Sequence, residues 1–82
     1  MKIYGYEKAK HEIDGEELLE LREATIECSL DELKKIILFL EHTLKAHSLV
    51  DKTNLCHSHY RDWEKDWSEN SPDFIIFTGE AE

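Results

Sequence analysis

The segment Cys56-His57-Ser58-His59 holds the residue types in this chain that are best suited to metal or nucleophilic chemistry. On a strand, His57 and His59 project from the same face, and two imidazoles placed in this way can share a metal ion. The sequence contains no Cys-x-x-Cys or His-Glu-x-x-His motif, and a structural zinc site needs four clear ligands. We therefore predict no cofactor, and a metal site at His57 and His59 is the alternative.

The pattern also argues against catalysis by a cysteine or by paired carboxylates. Cys28 and Cys56 fall at inward-facing positions of predicted strands, where a buried thiol is usually inert packing. Nineteen acidic residues in 82 produce close carboxylate pairs by chance, and a chain of this length leaves little room for a substrate cleft. We predict that the protein is not an enzyme.

The segment from Tyr60 to Trp67 alternates aromatic side chains with carboxylates. Aromatic residues are common anchors of protein interfaces, and the charges around them select and steer the partner. Alternatively, the two tryptophans cap the sheet as part of the core. The predicted partner-binding residues are Tyr60, Asp62, Trp63, Glu64, Asp66, Trp67 and, on the helix described below, Phe39.

The charge of the chain limits the class of partner. Ten basic against nineteen acidic residues give a net charge of −9, which repels nucleic acid and anionic membranes. The charge permits a basic protein partner, or it serves solubility alone. Two cysteines, no signal-peptide pattern and no apolar run longer than Ile36–Leu40 favour a cytoplasmic protein.

The segment Ser29–Ser48 is the clearest element, a helix that begins with the capping-box pair Ser29 and Glu32. Phe39 lies about 180° around the helix from Leu30, so we expect it to be exposed unless something covers it. The cover is either the N-terminal segment or a loop of the same chain, or an interface with a second copy or a partner. The predicted core stripe of the helix is Leu30, Leu33, Ile36, Ile37, Leu40 and Leu44.

The remaining segments read as strands. The order is a strand within residues 1–8, a turn at Asp14-Gly15, and a strand over about 18–27 with a bulge near Arg22 and Glu23. After the helix come strands over 55–61 and 73–78, the last one buried, with one helical turn between them. We predict a single α+β domain over residues 1–82, a two-layer sandwich in which the helix covers one face of a mostly antiparallel four-stranded β-β-α-β-β sheet.

Four stretches of the chain resemble the immunity protein 32 family of bacterial polymorphic toxin systems. They are residues 19–26 (LELREATI), the capped helix, residues 57–63 (HSHYRDW) and residues 72–77 (PDFIIF). The resemblance implies a cytoplasmic antitoxin that binds a cognate toxin and blocks its active site, and it implies no particular binding residues. Many such toxins are basic nucleases, which would suit an acidic face.

We therefore predict a binding protein that acts by occlusion, with a protein partner such as a basic toxin domain. The alternative is a dimeric α+β domain with a housekeeping or regulatory role, which would self-associate through Phe39 and the open face of the sheet. A metal-binding protein centred on His57 and His59 is the third interpretation.

Overall fold

Two antiparallel hairpins and one long helix make up the fold of this computed structural model, which describes residues 1–50 and 56–79. The elements in chain order are β1 (Lys2–Ile13), β2 (Glu16–Glu27), α1 (Leu30–Ser48), β3 (Cys56–His59), α2 (Tyr60–Trp63) and β4 (Ile75–Thr78). The α+β class is therefore as predicted. The predicted start of the third strand at Leu55 lies outside the described residues.

The first hairpin closes at the predicted turn. Asp14 and Gly15 both have positive φ, 51° and 80°, as a two-residue hairpin turn of type I′ requires. Because the turn is this tight, β1 continues to Ile13 and replaces the long connection that we expected after residue 8.

The predicted bulge in β2 is confirmed. A second irregularity skips Lys8 of β1, and because Tyr6 pairs with Glu23 and Glu7 with Leu21, Arg22 is the extra residue on β2. This extra residue brings the Leu21 side chain over Gly5, where a Cβ would lie 2.5 Å from the Leu21 Cδ1 atom. Gly5 is needed here because Leu21 approaches its backbone closely.

Helix α1 begins as the sequence predicts. The Ser29 hydroxyl accepts the Glu32 backbone N–H at 3.1 Å, and the Glu32 carboxylate accepts the Ser29 N–H at 3.0 Å. Each bond satisfies a backbone donor that the helix itself cannot pair. Among residues 1–50 and 56–79, no helix is long and apolar enough to cross a membrane.

The face of α1 that packs on its own chain differs from the predicted stripe. Phe39 is fully buried and forms the core with Ile36 and Tyr60, so it packs within its own chain and its predicted role as a partner-binding residue is wrong. Of the predicted stripe, only Ile36 is buried, whereas Leu30, Leu33, Ile37, Leu40 and Leu44 are exposed. Aromatic rings explain the choice of face, because Phe39 contacts Tyr60, Trp63 and Phe74 at centroid distances of 5.3–5.7 Å.

The four strands form two separate two-stranded sheets, β1-β2 and β3-β4, so the predicted single four-stranded sheet is not confirmed. In β4, Ile76 is half-buried while Ile75 and Phe77 are exposed, and the prediction of a fully buried last strand is wrong. The β3-β4 sheet packs on α1 through one face only, so the side chains of β4 alternate between the core and the solvent.

Candidate functional site

The predicted binding segment is built around α2, a single helical turn that follows β3. Tyr60, its first residue, is buried and stacks on Phe74 with ring centroids 4.7 Å apart. Its backbone N–H donates to the Phe74 carbonyl at 2.9 Å, which fixes the start of the turn. Two of the predicted contact residues, Tyr60 and Phe39, are therefore core residues and cannot reach a partner in the folded protein.

The two tryptophans are half-buried and pack against the core from outside. Trp63 lies 5.7 Å from the Phe39 ring, and the Trp67 indole N–H donates to the Pro72 carbonyl at 3.0 Å. The turn ends at Trp63, because the next residue, Glu64, has an extended backbone. Both tryptophans are held in place while part of each ring remains accessible.

Two carboxylates of the segment extend into solvent. The Asp62 side chain is 71% exposed and that of Asp66 is 86% exposed. Arg61 lies 3.7 Å from Asp62, and Lys35 lies 3.6 Å from Asp66. Exposed ion pairs of this kind contribute little to stability. Asp62 and Asp66 are thus the carboxylates of this segment that a partner can reach, beside the exposed cations Arg61 and Lys65.

Glu64 has a structural role that the sequence did not indicate. Its carboxylate accepts the Asp66 backbone N–H at 3.1 Å and lies 3.4 Å from the Lys35 ammonium group. The backbone hydrogen bond first, and then Lys35, hold the pKa of Glu64 below its usual value although burial opposes them. Through its ion pair with Lys35, Glu64 therefore connects the segment to α1. The sequence analysis did not identify Lys35 as part of the site.

A shallow groove of about 340 Å³ runs beside α2. His42 of α1, His57 and His59 of β3, and Asp62 and Trp63 of α2 line it. The parallel projection of His57 and His59 is confirmed, since their rings lie 5.5 Å apart. In the described part of the chain, however, no three histidine, cysteine or acidic side chains are placed to hold a metal ion.

His59 is oriented by Asp73, a residue that the sequence analysis did not single out. The His59 Nδ1–H donates to the Asp73 carboxylate at 2.7 Å, and the other carboxylate oxygen accepts the Arg61 N–H at 2.8 Å. Burial would raise the pKa of Asp73, but the hydrogen bonds from His59 and Arg61 outweigh it and lower that pKa. The signal available in the sequence was an acid directly after Pro72, at the start of a strand.

His47 connects the helix to both strands of the second sheet. Its Nδ1 lies 2.6 Å from the Thr78 hydroxyl and its Nε2 lies 2.8 Å from the Ser58 hydroxyl. Both ring nitrogens are occupied, so His47 is a structural residue. Cys28 and Cys56 are free thiols, each half-buried.

The site thus combines two half-buried tryptophans, Trp63 and Trp67, with a groove lined by histidines and two accessible carboxylates. This arrangement is suited to contacts with another protein. No family model, no curated protein and no solved structure matches the chain.

Proposed function

We propose that this chain is a cytoplasmic immunity protein, an antitoxin that neutralises a cognate toxin by binding and occluding it, without chemistry of its own. The observation that carries the proposal is the segment around α2. Trp63 and Trp67 are fixed against the core while Asp62 and Asp66 project into solvent. A rigid aromatic anchor with charges at its rim is the usual form of a protein-binding surface.

The charge of the chain supports a basic partner. A net charge of −9 attracts a positively charged toxin domain at long range, and Asp62 and Asp66 guide it to the groove. The resemblance to the immunity protein 32 family supports the same function.

The first experiment is co-expression with a neighbouring reading frame whose product is toxic when it is expressed alone. We expect that frame alone to stop growth, and we expect the immunity protein to restore growth and to co-purify with the toxin in a 1:1 complex. Toxicity that this chain does not relieve would contradict that pairing.

The binding surface is tested by the double variant Asp62→Asn/Asp66→Asn. Because rim charges act mainly on encounter, we expect the association rate to fall by roughly threefold to tenfold and its salt dependence to weaken. Stopped-flow or surface plasmon resonance measurements at low and high salt would show both effects.

The matched control is Glu16→Gln/Glu17→Gln at the tip of the first hairpin, which removes the same charge from exposed positions. If the control slowed association as much as the Asp62/Asp66 variant, the slower association would result from the lower net charge and not from the position of the two carboxylates. The segment around α2 would then be excluded from the interface.

A further inference from the structure

The outer face of α1 carries an apolar stripe that nothing in the described chain covers. We define the α1 stripe as Leu30, Leu33, Ile37, Leu40 and Leu44. Leu30 is 79% exposed and Leu44 is 71% exposed, at the two ends of the stripe. The residues alternate three and four positions apart, which is the spacing of a helix that packs along another helix.

The chain exposes more surface than a folded monomer of its size. Its accessible area is 6990 Å², whereas roughly 5,100 Å² is expected for a 9.7 kDa monomer. Its radius of gyration is 14.1 Å, against roughly 12 Å for a compact domain of this length. A standard-size interface needs about 800 Å² from each partner, which is less than this excess, and the five exposed side chains of the α1 stripe contribute to the excess.

The charges beside the stripe indicate which partner fits. Lys34 and Glu41 lie two turns apart on the side of the stripe that faces away from the core. If a second copy of α1 packs antiparallel, with the two-fold axis between Ile37 and Leu40, Lys34 of each copy lies near Glu41 of the other. In a parallel pair, Lys34 would instead lie at the same height as Lys34 of the second copy, and Glu41 at the same height as Glu41.

The same flank does not favour a basic partner. Lys34 and Lys45 offset Asp31 and Glu41 on this side of α1, so a positively charged protein gains no net attraction there, and most of the acidic residues that give the chain its −9 charge lie outside the helix. Two such chains can therefore meet here in spite of their like net charge.

We propose that the chain forms a two-fold symmetric homodimer through the α1 stripe, with antiparallel helices and reciprocal Lys34–Glu41 ion pairs. This surface is separate from the segment around α2, so the dimer leaves Asp62, Trp63 and Asp66 open. A symmetric interface of this kind uses the same patch on both subunits.

Sedimentation velocity of the full chain over a range of concentrations tests the dimer. We expect a dimer for the unaltered chain, and for Ile37→Asp a dimer Kd raised on the order of 100-fold or more, because two charges enter the centre of the interface. Ile37 is 47% exposed in the single chain, so the fold itself tolerates the change, which circular dichroism would verify.

Leu38→Asp is the matched control. It places the same charge on the next residue of the same helix, at a position that is 54% exposed but off the stripe. The control should remain dimeric. A monomeric unaltered chain at the highest soluble concentration, or equal effects of the two variants, would overturn the proposal.

The direction of the helices is tested by charge exchange. Lys34→Glu alone and Glu41→Lys alone each create two repulsive pairs in the antiparallel dimer, and we expect the Kd to rise roughly 5- to 30-fold. The double variant should restore it, and an equimolar mixture of the two single variants should form heterodimers. Single variants with unchanged Kd would overturn the antiparallel arrangement.

These measurements distinguish the dimer from the proposed function. Ile37→Asp should still bind toxin through the segment around α2, and a failure of toxin binding would leave the sedimentation results unaffected.

Discussion

At the residue scale, Asp73 holds together two segments that are distant in the sequence. Its carboxylate accepts hydrogen bonds from the His59 ring and from the Arg61 backbone, and it lies directly before the residue that stacks on Tyr60. Most of its side chain is shielded from solvent. An ionised carboxylate that accepts two hydrogen bonds stabilises the folded state as long as it stays ionised.

We expect Asp73→Asn to lower the free energy of unfolding at neutral pH by about 1–3 kcal/mol. The asparagine side chain has one acceptor oxygen, so it cannot accept both hydrogen bonds as the carboxylate does. The pKa of Asp73 is lowered in the folded protein, so its contribution is complete above the pKa that an unfolded aspartate has. The contribution is then lost as the pH falls through the lower, folded-state pKa.

Urea unfolding of the unaltered chain and of Asp73→Asn at several pH values measures this effect. The difference between the two should shrink in acid. Asp62→Asn, which alters an exposed carboxylate of the same segment, should change stability little at any pH. A difference for Asp73→Asn that is equal at neutral and acid pH would contradict the role of its charge.

At the element scale, the helix shows what a sequence pattern can and cannot determine. The bounds of α1 and its capping box were predicted correctly, because Ser29 and Glu32 act on backbone groups within one turn. The bulge at Arg22 was also predictable, because strict alternation of apolar residues in β2 fails there. These are local interactions, and a local sequence contains them.

The buried face of the helix was not predictable in this way. Leu30 and Phe39 lie on different faces of α1, both faces carry apolar residues, and periodicity alone cannot tell which one meets the same chain. The deciding contacts are with Tyr60, Trp63 and Phe74, which come from the other end of the sequence. The same reason explains why the site residues Asp73 and Lys35 were missed.

The choice of face predicts unequal effects of two substitutions on α1. Phe39→Leu should lower the free energy of unfolding by about 1–3 kcal/mol, because the aromatic contacts are lost and the site is repacked. Leu30→Ala should change it by less than about 0.5 kcal/mol in the monomer.

Chemical unfolding monitored by tryptophan fluorescence, at a protein concentration low enough to keep the chain monomeric, gives both values. A larger loss for Leu30→Ala than for Phe39→Leu would mean that the stripe, and not the aromatic cluster, packs within the chain.

At the scale of the whole molecule, one acidic chain carries the two surfaces that we propose for binding, and they are separate. The segment around α2 carries accessible carboxylates and suits a basic partner, while the α1 stripe is apolar with balanced charges at its side. A homodimer of an immunity protein would then offer two toxin-binding segments, and we would expect two toxins for each dimer.

The first hairpin has a further consequence, for the dynamics of the chain. The residues directly flanking the hairpin, Met1 and Cys28, pack against the core cluster, whereas Leu18, Leu19 and Ile26 are exposed along its length. Few contacts beyond its own ladder oppose its opening, so the hairpin and the core should behave as separate cooperative units. In the isolated monomer, amide hydrogens of β1 and β2 should exchange with deuterium by local opening, and those near Phe39 only by global unfolding. Phe39→Leu would therefore speed exchange in α1 and leave the hairpin unchanged, whereas equal acceleration in both would show that the molecule opens as a single unit.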